Sequence, residues 1–351
     1  MPGRTLLKIL GATVVLASAV GANAVCGDDP AAEQAKENRA ALDRLTRAVE
    51  RNYSYRDLRK VDWPKRFAEF EPRLLEAKDA EAFAKETAEL LKEARDVHIW
   101  LKVRDKTIGT FQRDARLNFN PRVLPKLIPQ LKQHGRTVLT GRFDDGVRYA
   151  AIGTWENREP QSLANAIEAI AEAAADKAPL IIDVRPNAGG NELSARQVAG
   201  MFVKKPTVYA KNVNLQDGKE RGPYDRLVEP EKEGRHHPGP CLVLMGPWNM
   251  SSCESFLQMM RGAGCRLVGE KSYGASGNPK PHELGNGVTV FLPSWRDLTP
   301  DGKDQEGVGI TPDVVVETKR EDFEQGDPVL VRALELIREK PWGPGRGDPA
   351  P

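Results

Sequence analysis

Two adjacent serines, Ser251 and Ser252, stand where the apolar run CLVLM gives way through Gly-Pro-Trp-Asn to the helical-looking stretch SSCESFLQMMRGAG. A hydroxyl at such a strand-to-helix junction faces the crevice beyond the strand. The free N–H groups of the helix's first turn favour negative charge that develops beside it. This is the equipment of acyl transfer, in which an alcohol attacks a carbonyl and amides hold the oxyanion. The same position also suits a plain N-cap, the commonest role of a serine at a helix start. A second loop, RPNAGGN after the apolar run LIIDV, carries Gly189 and Gly190. Consecutive glycines there serve either a tight turn or the close approach of an N–H to a carbonyl oxygen.

Other chemistries have less to work with. The four cysteines (Cys26, Cys241, Cys253, Cys265) contain no C-x-x-C pair, and the five histidines show no metal-ligand spacing. His236-His237, among Gly and Pro, reads as a solvated turn, and neither a metal nor an organic cofactor is expected. With 52 basic and 50 acidic residues the chain lacks the clustered positive charge that phosphate binding needs, which argues against a nucleic-acid partner. Aromatic residues make up only 6%, too few for base- or sugar-stacking platforms. A hydrophobic content of 40% beside 29% charged residues is that of a chain able to bury a core.

The elements around these loops follow from periodicity. Residues 31–97 place Leu42, Leu45 and Val49, then Phe67, Phe70 and Leu74, then Phe83, Ala88 and Leu91 at helical spacing, which predicts a bundle of about three helices. Pro64 suits the first turn of the second helix. The stretch 96–103 reads as extended, and 104–147, with Pro-rich PRVLPKLIPQLKQHG, as mixed and irregular. From Arg148 onward, strand-like RYAAI, LIIDV, CLVLM and CRLVG alternate with helical PQSLANAIEAIAEAAA, LSARQVA and SSCESFLQMM. That alternation predicts βαβ units and a largely parallel sheet, with active residues at the carboxyl ends of its strands. Residues 211–239 read as a long exposed loop, VTVFLPSW and VVVE as strands, and 327–339 as a last helix.

Both termini are set apart. Arg4 and Lys8, an apolar stretch over 9–20 and Ala22-Asn23-Ala24 form the three parts of a secretory signal peptide, so 1–24 is expected to be removed on export to the periplasm or the exterior. The apolar run is short for a membrane span. Val25 stands before Cys26 where a lipidation site usually has a small Gly or Ala, which argues against a lipid anchor. Residues 341–351, WGPGRGDPAP in the main, read as a disordered tail.

Five segments, taken together and in order, resemble the S41 peptidase family of tail-specific and tricorn-core-like serine proteases. DVHIWL is similar to its D-G-H-T-x-L segment through Asp96 and His98, and LIIDVRPNAGG to its D-x-R-x-N-x-G-G pattern through Asp183, Arg185, Asn187, Gly189 and Gly190. NMSSCE resembles S-A-S-E, CRLVGEKSYGASG resembles V-G-E-x-T-x-G, and DGKDQEGVGITPDVVVE resembles P-D-G…G-x-G-x-x-P-D. The likeness spans about residues 40–318. It implies an α/β fold, a mostly parallel ββα-superhelix of the crotonase/ClpP-like kind over 98–340 with the helical bundle before it. It also implies Ser251 as nucleophile and Ser252 with Gly189 or Gly190 as oxyanion donors. The tail-specific branch has a lysine base where Ala275 stands here. Only about 50 residues separate His98 from the strand at Arg148, too few for that branch's PDZ domain. The chain is therefore more similar to the tricorn-core and retinoid-binding-protein-like branch, which implies His98 as base and Glu306 as its orienter, with Asp301 and Asp304 as competitors. The expected function is an exported serine peptidase acting on polypeptides, without PDZ capture of C-termini. The rival readings are a non-catalytic binder of peptides or apolar ligands on the same scaffold, and an esterase-like hydrolase.

Overall fold

The computed structural model describes residues 30–339 except 157–158 and 232–234. The expected signal peptide, Cys26 and the C-terminal tail lie outside the described residues. The helices begin where the sequence supplies a cap. Asp62 accepts the Lys65 N–H at 3.1 Å and starts Trp63–Leu75. Asp79 starts Ala80–Leu91, Asn191 starts Glu192–Ala199 and Asp327 starts Pro328–Arg338 in the same manner. Ser252–Gly262 differs from these four: Ser251 stands at its N-cap position and could cap it, yet makes no side-chain cap bond.

Seven strands form the central sheet, in spatial order Val314–Val315, Arg266–Gly269, Cys241–Met245, Leu180–Asp183, Arg148–Ile152, Val138–Arg142, Lys132–His134. The first five are mutually parallel, Val138–Arg142 pairs antiparallel with the fifth, and Lys132–His134 pairs antiparallel with Val138–Arg142. Leu180–Asp183 and Cys241–Met245 are buried along their whole length, as parallel strands covered on both faces must be. Being neighbours, they bring the 185–191 and 246–251 loops side by side at their carboxyl ends.

The N-terminal helices Pro30–Asn52, Trp63–Leu75 and Ala80–Leu91 do not have a core of their own. Leu45, Phe70, Phe83 and Leu90 share one buried cluster with Leu101, Val290 and Leu292. Those last three belong to an antiparallel sheet of Pro279–Glu283, Val288–Pro293, Trp100–Val103 and Lys106–Gly109. His98 thus stands at the entry to a sheet that the bundle covers. Between the two bodies, residues 111–118 cross the carboxyl ends of the parallel strands. Arg116 binds Glu270, and Asn118 donates to the Met245 carbonyl at 3.3 Å and accepts Arg185 on its own carbonyl at 3.0 Å.

Two expectations are corrected. Residues 211–239 are not one loop, because Thr207–Gln216 and Lys219–Val228 form a ten-residue-armed hairpin joined to Trp295–Leu298. Its turn is Asp217-Gly218, both at positive φ (51° and 74°), the Asp-Gly signal of a tight hairpin inside polar sequence. His237 is not solvated either. It is 4% exposed, stacks on Phe202 and bonds the Ala178 carbonyl through Nε2 at 3.1 Å. Cys241, Cys253 and Cys265 are free and buried.

Candidate active site

Ser251 adopts φ 57°, ψ −132°, a region that side chains other than glycine rarely enter. Holding a residue there costs on the order of 1–3 kcal/mol and needs surroundings that enforce it. Several contacts do so. The Ser251 N–H donates to the Ala275 carbonyl at 2.7 Å, and its own carbonyl accepts the Glu254 N–H at 2.8 Å. Asn249 is fully buried and ties the turn to the neighbouring loop, donating to the carbonyls of Val184 at 2.6 Å and Asn187 at 3.0 Å. The outcome is a hydroxyl lifted off the helix N-terminus instead of capping it.

The loop beneath Ala275 is fixed by two buried carboxylates. Glu254 accepts the Ser272 hydroxyl at 2.5 Å, the Gly274 N–H at 2.8 Å and the Ala275 N–H at 3.0 Å. Glu306 takes the next amide, Ser276, at 2.8 Å. Successive amides 274, 275 and 276 are thereby pinned, and Ala275 can hold Ser251. Burial raises the Glu254 carboxyl to about 7, against the pull of those three donors. Burial, then the nearby Asp96 charge, pushes Glu306 well above the usual carboxylate range.

Two amides at this turn point to no acceptor among the described residues: Ser252 N–H, first in its helix, and Gly190 N–H. They are neighbours, because the Ser252 hydroxyl donates to the Gly190 carbonyl at 2.7 Å. A Cβ on Gly189 would lie 3.0 Å from the Ser251 Cβ. Gly189 spends its own N–H on Asn187 Oδ1 at 2.8 Å, so of the two glycines only Gly190 has an amide to offer. Gly190 itself sits at φ 131°, and a Cβ there would meet the Glu156 nitrogen at 2.5 Å. Both facts require glycine.

His98 is 6% exposed and lies in the turn before Trp100–Val103. Asp96 shapes that turn by accepting the His98 N–H at 2.9 Å. Its other oxygen accepts the Tyr53 hydroxyl at 2.8 Å and lies 3.4 Å from Arg59. The same Arg59 binds Glu306. Glu306 therefore joins the His98 turn through Arg59 and Asp96, and no hydrogen bond links it to the His98 ring. Nδ1 of that ring is buried without a partner, and no hydrogen bond joins it to Ser251 among the described residues. Burial lowers the His98 pKa, as do the Arg59 and Arg113 charges, against Asp96 and Asp297. The imidazole is thus held neutral near pH 7. Asp301 and Asp304, the competitors of Glu306, are exposed and bind Lys303 and Arg296.

Sequence reasoning missed Tyr53 and Arg59, which complete the Asp96–Glu306 network, and Arg113, whose Nη1 donates to the Trp248 carbonyl at 2.8 Å. No local pattern marks any of them, since each reaches the site across a long loop or from the bundle. Among the described residues no group of three His, Cys, Asp or Glu side chains could hold a metal ion.

The comparisons with known proteins agree with this architecture. Carboxy-terminal processing protease CtpB of Bacillus subtilis is 25% identical over 217 residues, covering 58% of this chain and 43% of that protein. A probable CtpA-like serine protease of Staphylococcus epidermidis is 28% identical over 142 residues, 40% of this chain and 28% of that protein. The chain thus spans less than half the length of these relatives. Among solved structures, a putative peptidase from Parabacteroides merdae superposes with a TM-score of 0.73 at 22% identity over 87% of this chain and 98% of that one. Mature CPAF gives 0.63 at 11% identity over 87% and 97%. At those identities the likeness concerns the fold. Residues 34–92 match the tricorn protease C1 domain, and residues 146–316 match peptidase family S41.

Proposed function

We propose that the protein is a serine peptidase that hydrolyses peptide bonds through Ser251. The observation that carries this reading is the Ser251 turn: an uncapped hydroxyl at φ 57° beside the acceptor-free amides of Ser252 and Gly190. Ser251 Oγ attacks the peptide carbonyl while neutral His98 accepts its proton. The oxyanion is held by Ser252 N–H and Gly190 N–H. His98 then returns the proton to the leaving amine, and water repeats the sequence on the acyl-enzyme. Glu306 positions His98 through Arg59 and Asp96. Because His98 and Ser251 are not hydrogen-bonded without substrate, binding must tighten that contact. Signal-peptide features over 1–24 support export, and detecting the uncleaved N-terminus in the mature protein by mass spectrometry would refute it.

The unpaired state of Ser251 and His98 also favours a second reading, a non-catalytic peptide binder on this scaffold. A fluorophosphonate probe separates the two. Covalent labelling of the wild type, absent in Ser251→Ala, is expected of the peptidase. An unlabelled wild type with an intact fold would establish the binder.

A further inference from the structure

We propose that Arg113, held over Trp248 and Tyr273 beside the Ser251 turn, is a carboxylate-binding subsite, so that the protein prefers peptides with a carboxylate close to the bond it cuts. This rests on the peptidase reading above. The guanidinium carbon lies 3.9 Å from the Trp248 ring centroid and 5.4 Å from that of Tyr273. One nitrogen is fixed on the Trp248 carbonyl, and no other hydrogen bond engages the guanidinium among the described residues. Both aromatic residues are built into the site's own loops. Trp248 precedes Ser251 by three residues, and the Tyr273 N–H donates to the Asn249 carbonyl at 2.9 Å, two residues before the carbonyl that holds Ser251.

Charge distinguishes Arg113 from the other arginines along this crevice. Arg59, Arg185 and Arg226 each have a carboxylate within ion-pair distance. Arg113, although half-buried, has none among the described residues, and both His98 and Glu254 feel its charge. A half-buried guanidinium without an anion retains an unmet demand for one. Its planar fork suits a carboxylate bidentately, and aromatic faces on one side pre-organise it. The carboxylate of a chain terminus and that of an Asp or Glu side chain share this chemistry.

The test uses the full-length protein and peptides built on one cut site, mapped by mass spectrometry in denatured casein. Three matched versions carry a free C-terminal carboxylate just beyond the bond, a C-terminal amide there, or the amide with an Asp beside the bond. Wild type is expected to favour at least one carboxylate form over the plain amide by roughly 10- to 100-fold in kcat/KM, the range for a charge-assisted hydrogen-bonded pair. Arg113→Gln should bring that ratio near one, and Arg113→Lys should leave an intermediate preference. Which form is favoured identifies the source, terminus or side chain. Equal cleavage of all three by wild type, or a loss in Arg113→Gln that falls equally on all three, overturns the proposal, since a merely structural arginine would behave so. A binding arm keeps this outcome separate from failure of the peptidase reading. A fluorescein-labelled hexa-alanine should bind Ser251→Ala about 10-fold more tightly as acid, or as the amide with Asp in place of one alanine, than as the plain amide, and the difference should vanish in Ser251→Ala/Arg113→Gln. Equal binding of the acid, the amide and the amide with Asp in place of one alanine refutes the subsite whether or not any peptide is cut.

Discussion

A buried imidazole that is uncharged at neutral pH has a free ring nitrogen ready to accept a proton, and this sets how activity is expected to respond to pH. The His98 pKa lies below 6.5 because burial, with Arg59 and Arg113 nearby, disfavours the cation more than Asp96 and Asp297 favour it. If His98 is the base of the proposed reaction, it is neutral at neutral pH, and activity is expected to be lost as pH falls through the lowered value. The acid limb of kcat/KM is therefore expected below pH 6.5. His98→Gln should lower kcat by on the order of 10²–10⁴, the span of a positioned general base. A limb that stays put in that variant would remove His98 from the reaction. Folding stability has the same sign for this group: its contribution is present above 6.5 and is lost on acidification through the folded value.

Among the elements, the clamp on the 272–276 loop has the opposite pH sense. Glu254 rises from 4.5 to about 7 in the fold, so its contribution is fully present below 4.5 and is lost as pH climbs through 7. A shift of that size corresponds to about 3 kcal/mol. Wild-type Tm should decline between pH 5 and 8. Glu254→Gln should flatten that decline while lowering Tm at pH 5, because an amide cannot accept all three donors from Ser272, Gly274 and Ala275. A variant whose melting curve parallels the wild type across this range would show that Glu254 is not the titrating clamp. The sequence made the two loops legible, since short buried strands, a Gly-Gly pair and a serine before a helix are all local signals. The hairpin was hidden because its outer strand is exposed from Lys219 to Asp225, and no apolar alternation marks that stretch. Only Asp217-Gly218 announced it. The 111–118 strap was hidden for another reason: it is held by side chains to Glu270, Met245 and Trp248, partners that a linear pattern cannot pair with it.

For the whole molecule, the crevice depends on the closing helix Pro328–Arg338 staying docked under the parallel strands. Arg185 is fully buried between Asp183 and Asp327, 2.6 Å and 2.7 Å from their oxygens, and Tyr149 adds its hydroxyl to Asp183 at 2.8 Å. Asp327 also caps the helix by accepting the Leu330 N–H at 2.9 Å. Asp327→Ala leaves Arg185 paired with Asp183 but strips two charge-assisted hydrogen bonds from the buried guanidinium, at about 2–4 kcal/mol. Asp327→Ala loses the cap as well, which adds about 1 kcal/mol. At this chain length the sum should lower Tm by roughly 10 °C or more. Arg185→Met/Asp327→Leu, which leaves the buried Asp183 carboxylate without a cation, should melt lower than Asp327→Ala. Thermal melts of both variants, with the Ser251 probe applied below each Tm, test the claim. The arrangement holds if the single variant melts early and labels slowly because the 185–191 loop that carries Gly190 has lost its base. An Asp327→Ala protein within about 2 °C of wild type would mean that the C-terminal helix docks by apolar contacts alone, and that the D-x-R motif acts only within its own loop.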